Sequence, residues 1–188
     1  MAITINGSSN TITGLAVGGL PDGIVDTDMI AANAVTAVKR GAGAVLQVVY
    51  GTYATQVIST SGTYVDTGLS KSITPLQTGS NIYVLVEQHI MVARNNDGVF
   101  GAVKIVQDST DRFVNAVSYQ MGVFADSVSE INLRLPITVS SFHAHGVNAG
   151  TSTTYKTQML NHQTSNSGQI VAQQGNSTST ITIMEISA

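Results

Sequence analysis

Asn81-Ile82-Tyr83-Val84-Leu85-Val86-Glu87-Gln88-His89-Ile90-Met91-Val92-Ala93-Arg94, followed at once by Asn95-Asn96-Asp97-Gly98, is the stretch on which the fold class turns. Ile82, Val84 and Val86 alternate with Tyr83, Leu85 and Glu87, so one set faces a core and the other faces away. That period of two belongs to a strand and not to a helix. Asn, Asp and Gly tolerate positive φ, which makes 95–98 a tight turn. Residues 99–106 then read as the returning hairpin partner.

The same pattern continues in both directions. Val45-Leu46-Gln47-Val48-Val49-Tyr50 and Thr55-Gln56-Val57-Ile58-Ser59 read as strands. Residues 63–69 and 71–73 read as one strand with a bulge at Gly68, closed by Pro75 and Gly79. Asp108 to Asp111 reads as a polar turn, and 113–124 as a further extended region. Ile131, Leu133 and Leu135 alternate with Asn132 and Arg134, and 138–145, 153–160 and 179–186 complete the set. Strands of this number, with turns every dozen or so residues, predict an all-β, jelly-roll-like sandwich over residues 43–188.

Residues 1–42 differ. Gly14, Gly18, Gly19 and Gly23 interrupt sparse apolar residues, too few to bury a core alone. Asp26-Thr27-Asp28-Met29-Ile30-Ala31-Ala32 has an acidic start and alanines after it, which predicts one or two helical turns. The expectation is a glycine-rich, partly helical anchor that orders by packing on its own copies or on a partner, with Lys39-Arg40-Gly41-Ala42-Gly43 as linker.

Hydrophobic residues make up 43% of the 188-residue chain and charged residues only 10%, against roughly 25% charge in an average soluble domain. Ser, Thr, Asn, Gln and Gly must cover the surface instead, and subunit contact would hide more of it. A net charge of -3 with no basic run argues against nucleic acid as a partner. There is no cysteine, so stability comes from packing, sheet pairing or assembly. No apolar run approaches the ~18–20 residues of a membrane span, so no membrane insertion is expected. Met1-Ala2-Ile3-Thr4-Ile5-Asn6 lacks the charged start and apolar run of a signal peptide.

Several strings resemble small phage virion proteins, the tail-fibre and head-fibre proteins of phages that infect cyanobacteria and other marine bacteria. Gly14-Leu15-Ala16-Val17-Gly18-Gly19-Leu20-Pro21-Asp22-Gly23 resembles their glycine-rich opening, and Ile30-Ala31-Ala32-Asn33-Ala34-Val35-Thr36-Ala37-Val38-Lys39 their linker unit. Val45-Leu46-Gln47-Val48-Val49 is similar to the first head strand. Tyr64-Val65-Asp66-Thr67-Gly68-Leu69 with Ile73-Thr74-Pro75, and the closing Thr180-Ile181-Thr182-Ile183-Met184-Glu185-Ile186, match further family strings. The resemblance implies a homotrimer whose residues 1–42 attach to other virion proteins of the tail or capsid. Its head would be a sandwich like those of C1q and tumour-necrosis-factor proteins, projecting outward to bind a host-surface glycan or protein. Such a protein is made in the host cytoplasm and works in the virion. The alternative is a capsid-decorating or adaptor fibre that recognises no host.

The ionisable residues leave enzymatic chemistry without a clear seat. His143 and His145 are two apart, so on a strand both rings face one way. Such a pair can hold a metal, as on the axis of some trimeric phage spikes, or can bond locally beside Gly146. His89 is expected as a satisfied or interface histidine, and His162 as part of a polar turn. Glycan hydrolysis needs two carboxyls about 5–10 Å apart. The candidates are Glu87, Glu130 and Glu185, whereas Asp97, Asp108, Asp111 and Asp126 read as turn formers. No catalytic, cofactor-binding or metal residue is assigned, no cofactor is expected, and the ligand-binding residues stay unknown.

Overall fold

The computed structural model describes residues 4–6, 8, 11–13, 34–36, 39–95, 98–114, 120–124 and 129–188. The chain divides into two compact units, Met1–Thr36 and Ala37–Ala188. In the first, β1 (Thr4–Asn6) and β2 (Thr11–Thr13) pair antiparallel, with Ile5 opposite Ile12. The glycine-rich stretch 14–23 and the helical turns expected at 26–32 lie outside the described residues, as do Asn96, Asp97, Tyr119 and Asp126. The stretch read as a linker belongs to the second unit. Arg40 Nη1 donates to Leu46 O at 2.9 Å, Gly43 N to Ser187 O at 2.8 Å, and Ser187 N to Ala44 O at 2.9 Å.

The second unit is an antiparallel β-sandwich. Its strands are β3 (Val45–Tyr53), β4 (Val57–Ser59), β5 (Val65–Ile73), β6 (Asn81–Arg94), β7 (Val99–Gln107), β8 (Thr110–Phe113), β9 (Met121–Val123), β10 (Ile131–Ala144), β11 (Thr153–Asn161), β12 (Gln169–Ala172) and β13 (Ser179–Ile186). The first sheet runs β3-β13-β6, with β10 on the far side of β6. β12 continues the β13 row along β6, and β4 continues the β3 row. The second sheet runs β5-β11-β7, with β8 and β9 in succession on β7. Counted as rows in chain order, the first sheet holds the first, eighth, third and sixth, and the second holds the second, seventh, fourth and fifth. That is a jelly roll.

The expected hairpin across residues 95–98 does not form. β6 and β7 lie in different sheets, and the chain crosses from one to the other at the strongest turn signal it carries. Both edges of β6 are taken, by β10 on one side and by β13 and β12 on the other. Turn chemistry supplies a reversal, whereas pairing is decided by which edges remain open. Residues 91–94 and 98–103 are buried on both strands, as an inter-sheet corner requires. Arg94 braces it, with Nη1 donating to Gly98 O at 2.9 Å and Nη2 to Ser165 Oγ at 2.6 Å.

Three smaller expectations also change. The sequence pattern predicts separate strands at 131–135 and 138–145, yet β10 is continuous through Pro136. Among the described residues β10 pairs only with β6, and an edge strand is where a proline is tolerated. The turn at 108–111 shrinks to Asp108 and Ser109, with Asp108 at φ 51, and Asp111 joins β8. Of the extended region expected at 113–124, Phe113 ends β8 and 121–123 form β9, both on β7, while 115–119 lie outside the described residues. The bulge at Gly68 is present: its φ is +87, and the register of β5 on β11 shifts between Lys156 and Gln158.

The core lies between the sheets. Ile82, Val84 and Val86 of β6 meet Ile181 and Ile183 of β13 from one side, and Leu69, Val103, Ile105, Tyr155 and Met159 from the other. Their alternate neighbours face out. The parity that the sequence showed for 82, 84 and 86 is the inward one.

Candidate functional site

The alternation of β10 carries Val139, Ser141 and His143 inward, and His145 follows in the same direction just past the strand end. Both histidines therefore share a face, as their spacing predicted, and that face is the core. Ser141 Oγ donates to Arg112 O at 2.9 Å, so it accepts from His143 Nδ1 at 3.0 Å. The remaining nitrogen, Nε2, takes the Tyr155 hydroxyl at 2.9 Å. Burial, with Arg112 and His145 nearby, pushes the His143 imidazole down to about 4. Burial pushes the Tyr155 phenol up. His145 is 1% exposed; its Nδ1 accepts from Val147 N at 3.1 Å and its Nε2 donates to Gln77 O at 3.0 Å. All four ring nitrogens are engaged in scaffold bonds, which any metal would have to break. Among the described residues no group of three or more His, Asp or Glu stands close enough to hold one.

The three glutamates are kept apart. Glu130 precedes β10 and accepts from Asn132 Nδ2 at 2.6 Å. Glu87 is exposed on the outer face of β6, opposite Thr180. Glu185 is fully buried on the inner face of β13, opposite Ile82. Its carboxylate accepts from Leu76 N (2.8 Å), Gln77 N (3.0 Å), Ser80 Oγ (2.6 Å) and Gln47 Nε2 (2.7 Å). Burial opposes its ionisation, but these hydrogen bonds outweigh that and hold the carboxyl below its ordinary range. Its task is to pin the loop after β5.

A second buried polar chain crosses the core. Thr157 Oγ1 on β11 donates to Gln88 Oε1 on β6 at 2.8 Å, which leaves Thr67 Oγ1 to donate to Thr157. Gln88 Nε2 then reaches Ser179 Oγ on β13 at 2.9 Å. This chain ties one sheet to the other with no charge involved. It was not anticipated from the sequence.

Exposed apolar side chains gather on the outer face of the first sheet. Strand register sets its rows. Phe142, Tyr83, Met184 and Val48 stand side by side across β10, β6, β13 and β3. The next row is Ser140, Leu85, Thr182 and Tyr50. Phe142 is 61% exposed, Tyr50 56%, Val48 54% and Val45 49%. Farther along the same face, a cleft of about 130 Å³ lies among His89, Arg134, Pro136, Gln174 and Ser177. His162 is half-buried just after β11, its N–H donated to Phe100 O at 3.1 Å.

The described residues thus define a jelly-roll sandwich with an apolar core crossed by hydrogen-bonded polar side chains, and with exposed apolar side chains on the outer face of its first sheet. No family model and no curated protein matches the chain. Two solved structures from infectious bursal disease virus are weakly similar. One is the VP2 subviral particle, at 15% identity and TM-score 0.26, covering 77% of this chain and 38% of that one. The other is the Gx strain structure, at 12% identity and TM-score 0.27, covering 74% and 40%. This chain spans about two fifths of the length of those chains. Overlap at such TM-scores carries no argument about function.

Proposed function

We propose that the chain is a non-enzymatic structural protein of a phage-like particle. It is a homotrimeric fibre, attached to other virion proteins through residues 1–42, whose jelly roll points outward and binds a host-surface glycan or protein. The observation that carries this reading is where the polar groups are spent. Glu185, His143, His145 and Gln88 all serve the scaffold, while Phe142, Tyr50, Val48 and Val45 stand exposed on the outer face of the first sheet, open to contact. Three heads per fibre and several fibres per particle turn weak individual contacts into useful avidity.

The test is retention of the purified chain on immobilised host envelope polysaccharide, run beside a reducing-end assay. Retention without release of reducing ends is expected. Released sugar would contradict the non-enzymatic reading. No retention, with the chain still present on intact particles, would favour the capsid-decorating or adaptor fibre.

A further inference from the structure

The cleft on the first sheet lies where the rows of β12 and β13 part along β6. Arg134 and Pro136 reach it from β10, opposite Met91 and His89, and Gln174 and Ser177 reach it from the link between β12 and β13. Three of the chain's four arginines are committed to the scaffold. Arg40 donates to Leu46 O, Arg94 to Gly98 O and Ser165, and Arg112 Nε to Gln107 Oε1 at 2.7 Å. Arg134 is exposed and, among the described residues, has no hydrogen bond or ion pair. The His89 ring and the Gln174 amide are likewise unbonded to described residues. Ser177 Oγ donates to Gln174 O at 2.8 Å and keeps its acceptor lone pairs. Among the described residues no acid lines the cleft; Glu87, on the same face, stands two residues from His89 along β6, about 7 Å away. The wall at 173–177 is tied down, with Gln173 N donating to His89 O and Gly175 N to Gln56 Oε1, both at 3.0 Å. Gln173 and Asn176 hold φ of 51 and 61, a left-handed backbone that costs energy outside glycine and collects at ligand clamps.

We propose that this cleft takes one acidic sugar residue of a glycan, its carboxylate on the Arg134 guanidinium and its hydroxyls on Gln174, Ser177 and His89. The inference rests on the host-glycan reading of the proposed function and gives it a sugar class and a site. An unspent guanidinium matches a planar carboxylate with two parallel hydrogen bonds. Neutral donors and acceptors beside it match hydroxyls, and Leu135 and Pro136 match the C–H face of a sugar ring. Arg134 is the one permanent cation of the lining, so a doubly charged phosphate monoester would leave charge unmet. The size sets a further limit. About 130 Å³ holds about four waters at about 30 Å³ each. The cleft therefore receives one edge of one sugar, and the rest of the glycan runs over the surface. So small a contact predicts a dissociation constant on the order of 1 mM, the weak single event that multivalent attachment multiplies.

Amide NMR of the isotope-labelled full chain tests it. The probes are D-glucuronate and D-galacturonate, with D-glucose and D-galactose as neutral counterparts and sodium sulfate as free anion. At least one uronate should move the amides of residues 89–90, 134–135 and 174–177, and the neutral sugars at equal concentration should not. Arg134→Gln should weaken uronate binding about tenfold or more. Arg134→Lys should recover part of it, since lysine returns the charge without the fork. Both variants should melt with the unmodified chain, because Arg134 is exposed and bonds to no described residue. Equal shifts from sulfate would reduce the cleft to an anion site, and equal shifts from the neutral sugars would remove the need for Arg134. No shift at these amides would leave the cleft without a ligand. Each of these three results overturns the inference. Retention on host polysaccharide separates it from the reading it rests on. If Arg134→Gln is retained as firmly as the unmodified chain, the cleft falls and host-glycan binding stands. If uronates bind in the cleft but the host polysaccharide does not retain the chain, the cleft stands and the host-glycan reading falls.

Discussion

The carboxylate of Glu185, near the end of the chain, accepts the backbone N–H of Leu76 at 2.8 Å, and with Gln77, Ser80 and Gln47 it fastens the loop after β5 to the last strand. Four donors converge on this one buried charge. Glu185→Gln keeps the shape but turns an amide N–H toward the backbone N–H groups of Leu76 and Gln77, which can only donate. Leaving such donors unmatched costs about 1–3 kcal/mol, so a clear drop in melting temperature is expected at pH 7. The folded pKa is depressed, so this stability is present above the unfolded value of roughly 4.3 and is lost as pH falls through the folded one. Melting curves of chain and variant should therefore converge in acid. Equal stability at pH 7 would contradict the cradle.

His143 should stay neutral at every physiological pH. Its folded pKa of about 4 lies below the unfolded value of roughly 6.5, so between those values the unfolded chain binds the extra proton. Its contribution to stability is whole above pH 6.5 and declines as pH drops toward 4. His143→Asn should lose this part of the pH dependence. A chelator or added zinc should leave the melting temperature of the unmodified chain in place, because both rings are already bonded to Ser141, Tyr155, Gln77 and Val147. A melting temperature that fell on chelation would restore the axial metal.

Gly68 sits at φ +87, and the Tyr53 ring fills the space where a Cβ would stand. Gly68→Ala meets both the strained backbone and that ring, and should cost about 1–3 kcal/mol. Gly79, also at positive φ, has open space at the same position, so Gly79→Ala should cost less. Urea midpoints of the two variants check the order.

Period-two alternation was legible wherever it was clean. In 81–86 and 131–135 it marked both the strands and the residues that share a face. Sheet membership was not legible, because β3 pairs with β13 and β5 with β11 across most of the chain, and no local pattern encodes which distant edge is free. The same limit explains 95–98, where turn residues announced a reversal and the crossing between sheets depended on edges already occupied. The shared face of His143 and His145 followed from spacing, but its inward direction depended on Tyr155 in another strand. Glu185 had a signal that could be read. It continues the inward series Ser179, Ile181, Ile183, and an acid at an inward position must be met by donors from elsewhere.

The native mass of the unmodified chain, taken by native mass spectrometry at micromolar concentration, tests the account most directly. Three times 19.6 kDa is the predicted result, with no monomer at equilibrium. A single species at 19.6 kDa would contradict it.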